Sequence, residues 1–183
     1  MRAADAVCFG SLAQRNSVSR QAIQTLIAEA RPEAWRIFDI NLRQHYFDRE
    51  VIERSLTLAN VLKLNDAELP VLAKLFGAGG DVKQQMEFFA KQFGLRVVAL
   101  TRGSHGSLLY REGSWSEYSA VKVEVQDTIG AGDSFTAALC VGLLRGIDID
   151  RINAAANQIA AFVCGQAGAT PDLPEPLRQL LIS

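Results

Sequence analysis

Residues 123–139 read VEVQDTIGAGDSFTAAL: a strand-like run, a turn carrying two glycines, and the opening of a helix. The strand ends near Val125 and the helix begins near Gly132, running to 145. Gly130 and Gly132 let the backbone turn tightly and approach a ligand closely. A strand that feeds a helix through such a turn is the repeating step of an α/β sheet, and it sets the class expected for the whole chain.

The alternation extends in both directions. Upstream, AVCFG (6–10), WRIFDI (35–40), ANVLKL (59–64) and RVVALT (96–101) read as buried strands. Helices are expected over 17–30, 49–56, 82–93 and from about Glu68 toward Phe76, since Pro70 fits only in a first helical turn. Phe88, Phe89 and Phe93 recur at helical spacing and read as core. Around the turn Glu112-Gly113, residues 107–111 and 114–125 read as an antiparallel meander. Downstream, helices over 132–145 and 149–165 close the core, and a Pro-rich tail at 171–176 leads to a short final helix. The expected fold is one α/β domain over 1–183, a mostly parallel, doubly wound sheet with flanking helices. Its first strand comes almost at once, with no preceding unit to cover the far edge of such a sheet. An uncovered edge favours self-association into a homo-oligomer.

Composition narrows the function classes. The 183 residues are 49% hydrophobic and 21% charged, as in folded domains rather than disordered chains. Nineteen Lys and Arg against 20 Asp and Glu leave a net charge of −1, with no basic surplus for nucleic-acid phosphates. No apolar run approaches the ~20 residues needed to span a bilayer, and MRAADAVCFGSLAQRN lacks the pattern of a secretory leader, so a cytoplasmic protein without membrane or nucleic-acid partners is expected. Cys8, Cys140 and Cys164 are unpaired in spacing and read as core thiols. His45 and His105 have no neighbouring cysteine to make a zinc cluster, and no G-x-S-x-G turn supports a serine hydrolase.

Chemistry concentrates at 127–135. The N–H groups at a helix start carry partial positive charge, so Gly130, Ala131 and Gly132 form an anion hole. Asp133, in the first turn, could take the proton of a hydroxyl attacking a phosphoryl group. The plainer alternative is a tight turn whose Asp caps the helix. The string D-T-x-G-A-G-D arises by chance at on the order of 10⁻⁷ per start position. It is neither a Walker A loop nor the three-glycine dinucleotide fingerprint.

DTIGAGDSFTAAL resembles the C-terminal signature of the ribokinase-like, or PfkB, family of carbohydrate kinases. Other segments resemble the family in the same order. Asn65 and Glu68 match its N-x-x-E segment, which the resemblance makes an organiser of Mg2+ and phosphates. Thr101, Gly103 and Gly106 match the T-x-G-x-x-G turn along the nucleotide. Asp39, Asn41 and Arg43 match the D-x-N-x-R segment of fructokinase-like members, and Ser11 sits at the strand end that approaches the sugar. Asn157 and the loop 165–170, with Gly168, match positions bordering adenine and ribose. Asp127 and Ile129, with carbonyls from 163–172, match a monovalent-cation site, K+ in many members. The resemblance implies a ribokinase-like fold and ATP-dependent phosphorylation of a sugar hydroxyl, fructose-like by the FDINLRQ segment, with ATP and a small sugar as ligands. It also implies that the N-terminal sugar-binding units and β-sheet lid are missing, leaving a nucleotide-binding module as the alternative to an active enzyme.

Each segment also has an ordinary reading. Asn65 and Glu68 would cap a helix. The 101–106 turn would be a plain glycine turn, and Asp127 would serve its own turn. Asn157 would be a buried amide satisfied by its neighbours. Asp39, Asn41 and Arg43 alternate along an extended strand end and so share one face, which suits a site or a surface.

Overall fold

Six strands hydrogen-bond in chain order in a computed structural model that describes residues 3–44 and 46–182. They are β1 (Ala6–Phe9), β2 (Trp35–Asp39), β3 (Val61–Asn65), β4 (Val97–Thr101), β5 (Ser107–Arg111) and β6 (Ser114–Tyr118). The helices are α1 (Ser17–Ala28), α2 (Arg49–Leu58), α3 (Glu68–Phe76), α4 (Val82–Phe93), α5 (Ala131–Leu144), α6 (Ile149–Cys164) and α7 (Glu175–Gln179). Crossover helices make the first pairings parallel: Cys8 faces Ile37, and Asp39 faces Lys63. The two-residue turn at Glu112 and Gly113, both at positive φ, closes β5 and β6 into a hairpin. The result is the expected mostly parallel sheet with flanking helices.

Two compact units divide the chain: Met1–Leu100 with Tyr110–Gly113, and Thr101–Leu109 with Ser114–Ser183. In the first, β3 is buried on both faces, as a parallel strand covered by helices must be, and Ile37, Phe38, Ile52, Leu56, Leu64, Leu72, Met86 and Phe89 fill the core. Side-chain caps start its helices: Asn16 and Asp48 accept from Val18 N and Val51 N, and Asp81 and Gln84 form a capping box. In the second, α5 packs on α6 around Phe135, Leu139, Leu143, Ile152 and Ile159. Gly142 permits their approach, because a Cβ there would lie 2.5 Å from Ile152 Cγ1.

Several expectations need correction. β1 is the edge strand, half-buried to exposed rather than buried, and Cys8 on it is exposed. Cys140 and Cys164 are half-buried, so none of the three thiols lies in the core. The strand expected through 125 stops at Tyr118; Val121, Val123 and Val125 are exposed in irregular chain, since β6 ends the sheet and offers them no further ladder. Phe89 is buried, whereas Phe88 and Phe93 are half-buried at the helix margin. Short 3-10 turns at 12–14 and 103–105 were not foreseen. The histidine at 45, weighed above as a zinc ligand, lies outside the described residues.

Candidate functional site

In the first unit the ends of three parallel strands converge. β1 runs into Gly10 and Ser11, and a Cβ on Gly10 would come within 3.0 Å of Asp39 O. The buried Ser11 hydroxyl donates to Ile40 O at 2.6 Å, which fixes the two strand ends to each other. Gln14, fully buried, donates to Gly10 O and to Ser55 Oγ at 3.1 and 2.8 Å. Nothing in the sequence marks that glutamine.

Asp39 closes β2 beside its register partner on β3, with Lys63 Nζ 3.2 Å from its Oδ1 and both side chains nearly buried. Sequence reading passed over Lys63, although a lysine between Leu62 and Leu64 in an apolar strand needs an acid within reach. Beyond Asp39 the chain leaves the extended conformation. Asn41 has φ 43°, so Asp39, Asn41 and Arg43 do not share one face by strand alternation. Asn tolerates this region because its short polar side chain bonds locally. Asn41 is half-buried and Arg43 exposed.

Glu68, buried at the start of α3, spends both carboxylate oxygens on backbone: Leu42 N donates to one and Asn65 N to the other, each at 2.8 Å. Asn65 Oδ1 accepts from Ala67 N at 3.0 Å and Glu68 N at 2.9 Å. The pair is a reciprocal helix-start box. It also ties the segment after β2 to the end of β3.

In the second unit the turn after β4 is closed by Arg102 N donating to Gly106 O at 2.7 Å and Gly106 N donating to Gly103 O at 3.1 Å. Gly106, at φ 83° and ψ −136°, lies where only glycine is comfortable. A Cβ there would lie 2.7 Å from Ala120 N and nearer still to Tyr118 O. Arg102 donates from this turn to Glu117 Oε1 on β6 at 3.0 Å. Asn157, buried on α6, donates to Ser107 Oγ at 2.6 Å, directly after that turn.

The turn into α5, which irregular chain rather than the expected strand leads into, is built on Gly130, at φ 84°, whose missing side chain makes room for Ala169 of the loop that contains Gly168. The first helical bond of α5 runs from Ser134 N to Gly130 O at 2.8 Å. The N–H groups of Gly132 and Asp133 therefore have no backbone partner among the described residues, as expected of a helix start. The Asp133 carboxyl follows them in the first turn and is exposed. Asp127 Oδ1 accepts from Ile129 N at 2.9 Å, and Asp127 N donates to Cys164 O at 3.2 Å. Burial pushes the Cys164 thiol up from its ordinary value, and the Asp127 charge adds to the effect. Each unit thus gathers its share of the expected residues: Ser11, Asp39, Asn41, Asn65 and Glu68 in the first, Gly106 with Asn157 and Gly130 with Asp127 in the second.

The model of the pfkB family of carbohydrate kinases matches residues 2–176. A putative sugar kinase from Pyrococcus horikoshii is 30% identical over 182 residues, covering 94% of this chain and 54% of that protein. Its crystal structure in complex with ATP superposes with a TM-score of 0.78 at 27% identity, covering 98% of this chain and 60% of the other. A fructokinase from Vibrio cholerae O395, solved with fructose, ADP and calcium, gives 0.75 at 26% identity, covering 99% and 62%. A double mutant of that enzyme was solved with fructose, ADP and a potassium ion. The chain spans about half the length of the curated relatives it matches. Among the described residues, no helix is long and apolar enough to cross a membrane.

Proposed function

We propose, on the premise that this chain belongs to the pfkB family of carbohydrate kinases, that it serves ATP-dependent phosphorylation of a sugar hydroxyl, with a fructose-like sugar favoured. The observation that carries the reading is the turn at 130–133, where two unpartnered backbone N–H groups and an exposed carboxylate follow one another at the start of α5. In this reading the sugar oxygen attacks the γ-phosphorus and its proton passes to the Asp133 carboxylate. The new P–O bond forms as the bond to the β,γ-bridging oxygen breaks, and ADP leaves. In this reading the N–H groups of Gly132 and Asp133 meet the phosphoryl oxygens, where charge sits throughout the transfer, while the Ala131 N–H, expected in the same anion hole, is taken by Thr128 O at 3.4 Å. The sugar side is assigned to Ser11, Asp39, Asn41 and Arg43, and the nucleotide side to Thr101, Gly103, Gly106, Asn157 and Gly168.

A magnesium ion held directly by Asn65 and Glu68 fits poorly. Their oxygens already accept backbone N–H groups, and no group of three His, Cys, Asp or Glu among the described residues is arranged to hold a metal. In this reading both residues act by positioning the segments they bind. Asp127 and Ile129 remain the candidates for a potassium site, in keeping with the ion bound by the Vibrio cholerae mutant.

The second reading is a nucleotide-binding module without turnover. Release of ADP by this chain against a panel of sugars separates the two, with fructose first. Turnover with any sugar supports the kinase; ADP binding by calorimetry without turnover supports the module. Where turnover is found, Asp133→Asn should lower it about 10²–10⁴-fold while ATP affinity stays. An active Asp133→Asn removes that residue from the chemistry.

A further inference from the structure

Four buried polar side chains of the second unit share one hydrogen-bond network centred on Asn153, which is 0% exposed. Ser107 Oγ donates to Asn153 Oδ1, and Asn157 Nδ2 donates to the same oxygen at 3.1 Å. Asn153 Nδ2 donates to Ser116 O at 3.1 Å and to Ser116 Oγ at 3.0 Å. Asn157 Nδ2 also reaches Ser107 Oγ at 2.6 Å and Asn153 O at 2.8 Å. One amide thereby ties the first residue of β5, the middle of β6 and the next turn of α6.

What lies beside this network gives it meaning. Ser107 follows Gly106, the tightest residue of the 101–106 turn, and the backbone of Tyr118, Ser119 and Ala120, at and past the end of β6 that carries Ser116, lies against Gly106. Apolar residues would fill the same space without the desolvation that four polar groups suffer. Apolar packing, however, tolerates small slides of a hairpin along a helix, whereas hydrogen bonds hold it to a few tenths of an ångström.

We propose that Asn153 is a positioning residue that sets the height of the 101–106 turn relative to Asn157, so that both meet a bound nucleoside diphosphate in register. This rests on the reading above that the turn lies along a nucleotide. Asn153 is itself too buried to touch a ligand, so any effect on affinity must pass through Ser107 and Asn157.

The test is calorimetric titration of the 183-residue chain with ADP, well below the unfolding temperature of each variant, which is measured in parallel. Asn153→Ala should weaken ADP about tenfold, the scale at which buried networks couple to sites. Ile152→Ala, a neighbouring core truncation on α6 outside the network, should lower the unfolding temperature while leaving ADP affinity within about twofold of the parent chain. If Asn153→Ala does not fold, Ser116→Ala, which removes only one of its partners, should weaken ADP about threefold. Combining Asn153→Ala with Ser107→Ala should cost no more affinity than the larger single change, since both act through one bond. The proposal is overturned if the parent chain binds ADP and Asn153→Ala and Ser116→Ala bind it equally well. It is also overturned if the losses at 153 and 107 multiply, or if Ile152→Ala weakens ADP as much. Absence of ADP binding by the parent chain overturns the nucleotide reading itself and this proposal with it, a result none of the variant comparisons can mimic.

Discussion

Replacing Gly130 with alanine should injure the chain far more than the same change at an open turn. Gly130 holds φ 84°, a conformation that costs an L-residue about 1–2 kcal/mol. A Cβ there would also lie 2.9 Å from both the carbonyl carbon and the Cα of Ala169, and closer to its oxygen. These are backbone atoms and cannot swing aside, so the 165–170 loop must retreat, at an overpacking cost of about 1–3 kcal/mol. The sum is about 2–5 kcal/mol. At roughly 2–4 °C per kcal/mol for a chain of this length, the unfolding midpoint should fall by about 4–20 °C. Gly77→Ala supplies the control, because Gly77 sits at φ 73° with nothing within 4 Å and carries the conformational cost alone. Thermal unfolding followed by circular dichroism compares the two, and ADP titration in the cold reports whether the displaced loop has carried the N–H groups of the turn with it. Equal shifts for Gly130→Ala and Gly77→Ala would refute the claim that Ala169 fills the space left by the missing side chain.

Lys63→Met should destabilise, by up to about 3–5 kcal/mol, by removing the cation from beside the nearly buried Asp39 carboxylate, and Asp39→Leu added to it should recover part of the loss; denaturant titration reads both. The Cys140 and Cys164 thiols hold their protons more tightly when folded, through burial at both and the added Asp127 charge at Cys164. Their contribution is therefore complete below the ordinary value of 9.0 and is lost as pH rises through the higher folded values. Replacing both by alanine should flatten the alkaline fall in unfolding temperature, and an unchanged slope would contradict it. In the turnover assay, potassium in place of sodium at fixed ionic strength should raise the rate and Asp127→Asn should blunt the rise; equal rates in both salts leave Asp127 as the partner of Ile129 N alone.

The parallel strands were legible because strands buried on both faces are mostly apolar, as β4 is up to Leu100 and β3 is apart from Lys63 and its end at Asn65. The turn at 130–133 was legible because two glycines at a helix start have few other uses, although the strand read before it is irregular chain. Period-two alternation at Val121, Val123 and Val125 marked a strand but could not supply the neighbour that makes one. The Asp39–Lys63 pair depends on the β2–β3 register, which no local pattern encodes. Asn41 read as extended because alternation with Asp39 and Arg43 carries no mark of its left-handed backbone. Asn153 and Asn157, four apart on one helical face, were a signal available in the sequence, but their meaning needed Ser107 and Ser116 opposite them.

Glu68 carries a consequence for mutational tolerance. Its two oxygens face two backbone N–H groups from segments 26 and three residues away. Glutamine, the closest replacement in shape, would set an NH2 group against one of those donors, and aspartate falls one methylene short of reaching both. Chemical similarity therefore protects little at this position. In a saturation library selected for folded protein, Gln and Asp at 68 should be depleted nearly as deeply as leucine, so a substitution matrix would misjudge the site.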